Sequence, residues 1–259
     1  MIVSPLVLYL VWAALAGLVV GSYLNVLAHR LPAGRSTVRP RSSCPFCGGI
    51  IPARDNIPLL SFVLLGGRCR RCGAPISWRY PALEALTAVL FVGSVLAFGL
   101  TPRTAVAMLF CALMLALAAI DAEHYLLPDR LTLPGILAGL ATQPLVPSVS
   151  LLEAVVGTVL GAGLLILLMN YWYWLRGEEG MGMGDVNMAA LIGAFLGWKG
   201  LLVALVTASL SGAATGIVLM AAARLGLRSR LPFGTFLALG SLVALFAGDT
   251  LVDAYARLL

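Results

Sequence analysis

Apolar runs close to the length a helix needs to cross a bilayer recur from one end of this chain to the other, and they exclude most soluble folds at once. A transmembrane helix takes roughly 20 apolar residues, and candidate runs fall at 5–28, 82–100, 104–121, 131–147, 154–174, 187–198, 200–223 and 232–252. Only 11% of the 259 residues are charged and 61% are hydrophobic, against about 25% charged in an ordinary soluble domain. A soluble core of this size could not bury so much apolar surface. The expected fold is an all-α polytopic membrane protein of about eight transmembrane helices.

The first run has no charge before His29 and Arg30. A cleavable signal carries its positive charges ahead of the apolar stretch, so this run is expected to stay as a first helix with its N-terminus outside. The run 131–147 is broken by Pro134 and Pro144, and 187–198 is short. Charge tests the count, because short cytoplasmic loops collect Lys and Arg. With eight spans, only Arg103, Lys199 and Arg257 of the 17 basic residues are left outside. Were 187–223 a single span, Arg224, Arg228 and Arg230 would join them, so a turn at Gly197-Trp198-Lys199-Gly200 is preferred. The net charge of +6 then reflects topology, and nucleic acid is not an expected partner.

Between Arg30 and Tyr80 the apolar character falls, and Cys44-Pro45-Phe46-Cys47-Gly48 is answered by Cys69-Arg70-Arg71-Cys72-Gly73. Two C-x-x-C pairs are a strong zinc signal, since each turn lets two thiolates grip one metal. Glycine after each second Cys permits a backbone conformation that a side chain hinders. Four thiolates fill a tetrahedral shell, which makes the site structural. The competing readings are a redox dithiol pair or four unrelated thiols. A reducing cytoplasm disfavours permanent disulfides, and a redox centre normally needs one C-x-x-C. Cys111 lies inside an apolar run, where a small buried thiol is ordinary.

Carboxylates in spans are costly and mark function by default. Asp121 ends the third run, and Asp185 follows Gly180-Met181-Gly182-Met183-Gly184 at the start of the sixth. Both fall on the cytoplasmic face in the eight-span topology, 64 positions apart. Two carboxylates brought close cannot both ionise, so one keeps a proton while the other acts as base. That suits water-mediated peptide hydrolysis: the ionised Asp takes a proton from water, the water attacks the carbonyl, and the protonated Asp serves the leaving amine. The pair titrates as a unit, so neither role is assigned to one residue. The glycines before Asp185 are expected to let backbone or substrate approach the carboxylate closely. Taken singly, each Asp also fits a helix-end charge reaching headgroup water.

Asp129 is expected to cap the fourth helix. Glu123, Glu178 and Glu179 read as solvated loop charges, and Asp249 and Asp253 lie near the opposite face. Glu84 stands open between a helix N-terminal charge and a substrate contact. His29 and His124 read as interfacial polar residues.

Taken in order, these stretches resemble the type IV prepilin peptidases, bacterial membrane aspartyl proteases of the G-x-G-D type. The resemblance runs through Gly21-Ser22-Tyr23-Leu24-Asn25-Val26 with Arg30-Leu31-Pro32, the two cysteine pairs, Ile76-Ser77-Trp78-Arg79-Tyr80-Pro81 with Glu84, Asp121 through Pro128-Asp129, Gly182-Met183-Gly184-Asp185, and Pro232-Phe233-Gly234. It implies cleavage of the short basic leader of type IV prepilin or pseudopilin precursors, at the cytoplasmic face of the bacterial inner membrane. It implies Asp121 and Asp185 as the catalytic pair, and Cys44, Cys47, Cys69 and Cys72 as ligands of a structural zinc. It extends to methylation of the new N-terminus from S-adenosylmethionine, for which no binding residue can be named. Asn187 stands where the family often has Lys, which removes a cation near Asp185. The expected division is 1–28 as first transmembrane helix, 29–80 as a small cytoplasmic zinc-binding loop domain between helices 1 and 2, and 81–259 as a transmembrane peptidase core. The rival reading is a membrane transporter or assembly factor, with an intramembrane Asp pair and a zinc loop that docks a partner.

Overall fold

A computed structural model describes residues 5–178, 181–222 and 231–257. Arg224, Arg228, Arg230 and Glu179, assigned above to cytoplasmic loops, lie outside the described residues. The elements are α1 (Pro5–Arg30), α2 (Leu60–Leu64), α3 (Arg79–Phe98), α4 (Pro102–His124), α5 (Asp129–Thr142), α6 (Leu151–Arg176), α7 (Met183–Ala221) and α8 (Phe233–Ala256). Among the described residues there is no strand, only two isolated antiparallel bridges in the cysteine loop.

By length and composition α1, α3, α4, α6, α7 and α8 can each cross a membrane. The difference between these six and the eight apolar runs lies in α5 and α7. The proline-broken run 131–147 becomes α5, which holds Pro134 within it and spans about 21 Å. A tight 3-10 turn, Gln143–Leu145, follows. The runs 187–198 and 200–223 share α7, interrupted at Gly197, where φ is 67° and ψ −178°. Only glycine occupies that backbone region without strain.

The interruption is a reversal. Gly184 in the first turn of α7 and Gly234 in the first turn of α8 both abut Leu127, while Gly240 and Phe236 of α8 abut Ala204 and Gly212 of α7. In a straight helix Gly184 and Gly212 would stand about 42 Å apart. They can serve neighbouring turns of α8 only if the chain doubles back at Gly197, as the charge distribution requires. Ending a helix there frees its last carbonyls. Gln143 Nε2 donates to two of them, at 2.6 Å to Ala194 and 3.4 Å to Phe195.

Two compact units make up the chain, Met1–Ala116 and Leu117–Leu259, with the boundary inside α4. In both, helices meet through small residues, the usual means where lipid supplies no hydrophobic drive between them. In the first unit Gly17 and Gly21 of α1 face α3 so closely that a Cβ on them would lie 2.5 Å from Ala88 Cα and 2.7 Å from Glu84 Cα. In the second, Gly157 and Gly161 of α6 meet Gly193 and Ala189 of α7 backbone to backbone, and Gly240 of α8 does the same against Ala204. Ser150 and Glu153 close a reciprocal capping box at the start of α6, satisfying two otherwise free N–H groups.

Candidate functional site

The carboxylates come together in the second unit. α4 carries Asp121 almost wholly buried and ends at His124, after which Tyr125 turns the chain at φ 52°. The segment 126–128 then drops Leu127 between the first turns of α7 and α8. A Cβ on Gly184 would stand 2.8 Å from Leu127 Cβ, and one on Gly234 would stand 2.9 Å from Leu127 Cδ1 and 3.0 Å from the Asp121 carboxylate. The two glycines therefore set the spacing, and Asp185, one residue past Gly184, lies within electrostatic reach of Asp121.

Asp121 is held by the start of α8. Thr235 donates its backbone N–H to Asp121 Oδ2 at 2.7 Å and its hydroxyl to the same oxygen at 3.2 Å. An anion there is favoured by the free N–H groups and the helix dipole. Asp185 occupies the first turn of α7, the equivalent position on its own helix. The arrangement thus presents two carboxylates where the end of α4 meets the starts of α7 and α8, Asp121 held by the Thr235 donors and Asp185 half-buried. Such a pair can share a proton and activate a water.

Of the glycines before Asp185, Gly184 is needed for the approach of Leu127, whereas a Cβ on Gly182 would meet only open space and the Gly184 nitrogen at 4.0 Å. Gly180 lies outside the described residues. Asp129 does not cap its helix: Pro128 holds the N-cap position and Asp129 is the first helical residue. Its carboxylate instead accepts a hydrogen bond from Asn187 Nδ2 at 2.9 Å, so the residue standing in for a cation ties the start of α5 to the start of α7. Asp249 sits about 22 Å along α8 from Gly234, away from this cluster. Leu127 and Thr235 carry no signal of their own in the sequence.

The four cysteines come together in the first unit. Their sulfurs all lie within 4.8 Å of one another, and Cys44 Sγ to Cys72 Sγ is 3.8 Å. Sulfurs bound about 2.3 Å from one zinc in a tetrahedron stand about 3.8 Å apart, so the donor set fits zinc in identity, number and spacing. The loop repeats one knuckle twice. Cys44 N–H bonds Gly49 O and Gly48 N–H bonds Cys44 O, while Cys69 N–H bonds Ala74 O and Gly73 N–H bonds Cys69 O. Gly48 and Gly73 take φ of 65° and 72°, the left-handed turn expected of them. Backbone N–H groups of Cys47 and Phe46 hold the Cys44 thiol down at about 7. At Cys72 the Ala74 backbone N–H is outweighed by burial and the neighbouring cysteines, which push that thiol up to about 11, so without a cation the four sulfurs do not all ionise together.

Arginines brace the loop. Arg70 makes a bidentate pair with Asp55, with contacts of 2.8 Å at Nε and at Nη2. Arg30, at the end of α1, donates to the carbonyls of Ser36, Pro40 and Arg41. Glu84 is buried in α3 and accepts the Leu59 backbone N–H at 2.8 Å, which answers the open reading of that residue with an internal tie. Cys111 is fully buried in α4.

Residues 15–98 match the family model described as Bacterial Peptidase A24 N-terminal domain, and residues 108–217 match the one described as Type IV leader peptidase family. The chain's relatives include proteins named prepilin leader peptidase/N-methyltransferase, and those from three genera illustrate the match. The chain is 39% identical to that of Burkholderia pseudomallei over 94% of this chain and 87% of the relative. It is 40% identical to that of Aeromonas hydrophila over 96% and 94%. It is 36% identical to that of Pseudomonas aeruginosa over 94% and 92%. No solved structure matches.

Proposed function

This multi-pass membrane protein belongs to the type IV leader peptidase family, and from that premise we propose that it cleaves the leader from type IV prepilin-like precursors with Asp121 and Asp185. The reaction is assigned to the cytoplasmic face of the bacterial inner membrane. The observation that carries the reading is the convergence of two carboxylates, 64 positions apart in sequence, around the Leu127 wedge. One carboxylate draws a proton from water, the water attacks the scissile carbonyl, and the proton held by the pair passes to the leaving amine. Oxyanion and amine are thus served without any charge leaving the site. Thr235 fixes the orientation of the Asp121 carboxylate while this happens.

The same polypeptide is proposed to methylate the new N-terminal residue with S-adenosylmethionine, as the names of its relatives state for them. No residue is assigned to that donor. Cys44, Cys47, Cys69 and Cys72 would hold zinc, which supplies a rigid cross-link to the loop and no vacant position for substrate. The division into a first transmembrane helix at 1–28, a zinc loop at 29–80 and a peptidase core at 81–259 is part of the proposal.

Processing of a pilin-like precursor by the parent protein, Asp121→Asn and Asp185→Asn tests the reading. Uncleaved precursor with both variants, each inserted normally, is expected. Processing by both at the parental rate would remove the aspartyl mechanism, whereas no processing even by the parent would leave the ion-site or assembly-factor reading. Labelled S-adenosylmethionine in the same incubation reads methylation separately.

A further inference from the structure

The short helix α2 is amphipathic in the opposite sense to a helix on a water-exposed domain. Its polar residue, Ser61, is buried: the hydroxyl accepts the Ile57 N–H at 2.9 Å and donates to the Arg54 carbonyl at 3.0 Å. Its apolar residues point out, with Val63 and Leu64 each 73% exposed and Leu60 50% exposed. Trp78, 75% exposed, packs against Phe62 with ring centroids 4.8 Å apart and planes tilted by 59°, and extends the same surface. In water such a face would be a liability.

Its height along α3 identifies what covers it. α3 has 20 residues, about 30 Å, matching the thickness of the hydrocarbon core. Glu84 lies five residues inside its first residue, Arg79, so about 7.5 Å below the end of the helix. Because a helical side chain leans toward the N-terminus of its helix and Glu84 Oε2 accepts the Leu59 N–H at 2.8 Å, the start of α2 is pinned beside the first turns of α3, between that depth and the helix end. The pin is held against backbone resistance, for Leu59 stands at φ 58°, in a tight turn that a leucine rarely adopts. An apolar face held beside the first turns of a membrane-spanning helix is at the boundary between headgroups and acyl chains, and Trp78 at the helix end matches the interfacial preference of tryptophan.

We infer that α2 is an interfacial helix that seats the cysteine loop on the bilayer, with Leu60, Val63 and Leu64 in the upper acyl layer and Trp78 among the headgroups. The covering partner is lipid, continuous with the lipid around α1 and α3. The loop is then fixed at the membrane surface by four apolar side chains and one buried carboxylate, independently of its metal.

The test uses the full chain in nanodiscs of phosphatidylethanolamine and phosphatidylglycerol, with a photo-crosslinking p-benzoylphenylalanine replacing Val63. The same probe replacing Phe46, equally exposed at 70% on the first cysteine knuckle, is the reference. Phospholipid adducts at position 63, severalfold above those at 46, are expected. Three results would overturn the inference: no lipid adduct at 63, labelling no greater than at 46, or adducts there only to a second copy or to added precursor. As a measurement independent of the probe, lipids brominated high on the acyl chain should quench the part of the fluorescence that Trp78→Phe removes. Lack of quenching of that part counts equally against the seat.

Discussion

The cysteine loop and the aspartate site are held together by different means. In the loop, few side chains pack; its shape comes from two repeated knuckles, four thiols, the Arg70 and Asp55 pair and carbonyls gathered by Arg30. Around the aspartates a few polar ties, Thr235 to Asp121 and Asn187 to Asp129, join helix ends whose spacing is set by glycines that let backbones and Leu127 touch. The first design gathers its stability around four thiols that can hold one metal, and with that metal bound it could be taken apart chemically. The second spreads it over contacts that a single methyl group disturbs.

The largest effects should separate the two regions completely. Asp185→Asn is expected to slow precursor cleavage by about 10²- to 10⁴-fold, the usual worth of general acid–base catalysis, with zinc content unchanged. Cys44→Ser should lose about one zinc per chain by metal analysis while the purified protein keeps measurable cleavage. Coupled losses in both variants would break the comparison.

Methyl groups sharpen it next. Gly184→Ala and Gly234→Ala force a Cβ against Leu127 or Asp121, and overpacking costs about 1–3 kcal/mol. Turnover should fall at least severalfold, whereas Gly182→Ala, which meets open space, should process normally. In the loop the corresponding substitution, Gly48→Ala, strains a left-handed turn by about 1–2 kcal/mol and should show as faster zinc loss to a chelator.

Single hydrogen bonds follow. Asn187→Ala frees the Asp129 carboxylate and should lower thermal stability by about 0.5–1.5 kcal/mol, with cleavage reduced but present.

The smallest effect belongs to Asp55. Arg70 holds its carboxyl below the usual carboxylate range, so the ion pair contributes above the unfolded-state value and is lost as pH falls through the folded-state one. Asp55→Asn should therefore speed zinc release slightly at neutral pH. The difference should shrink in high salt.

Much of this was legible along the chain. The paired cysteines read as a metal site because all four ligands sit in two local turns, whose geometry depends on nearby residues alone. The reversal at Gly197 was legible through arginine placement, although the helix looks continuous there by its hydrogen bonds. Asp129 misled, since Asp before an apolar run usually caps it, and here a proline had already taken that position. Gly157 and Gly161 of α6 drew no reading from the sequence, because small residues in an apolar run do not say which helix they meet.

The chain by itself determined that this is a multi-span helical membrane protein, which carboxylates are candidates and how the cysteines pair, because hydropathy, charge asymmetry and turn spacing act locally. Only the tertiary structure decided that Leu127 fits between Gly184 and Gly234, that Thr235 reaches back 114 positions to Asp121, and that Glu84 pins α2. Those contacts join segments far apart in sequence, and side-chain identity carries no record of a partner that only the folded chain brings within a few ångströms.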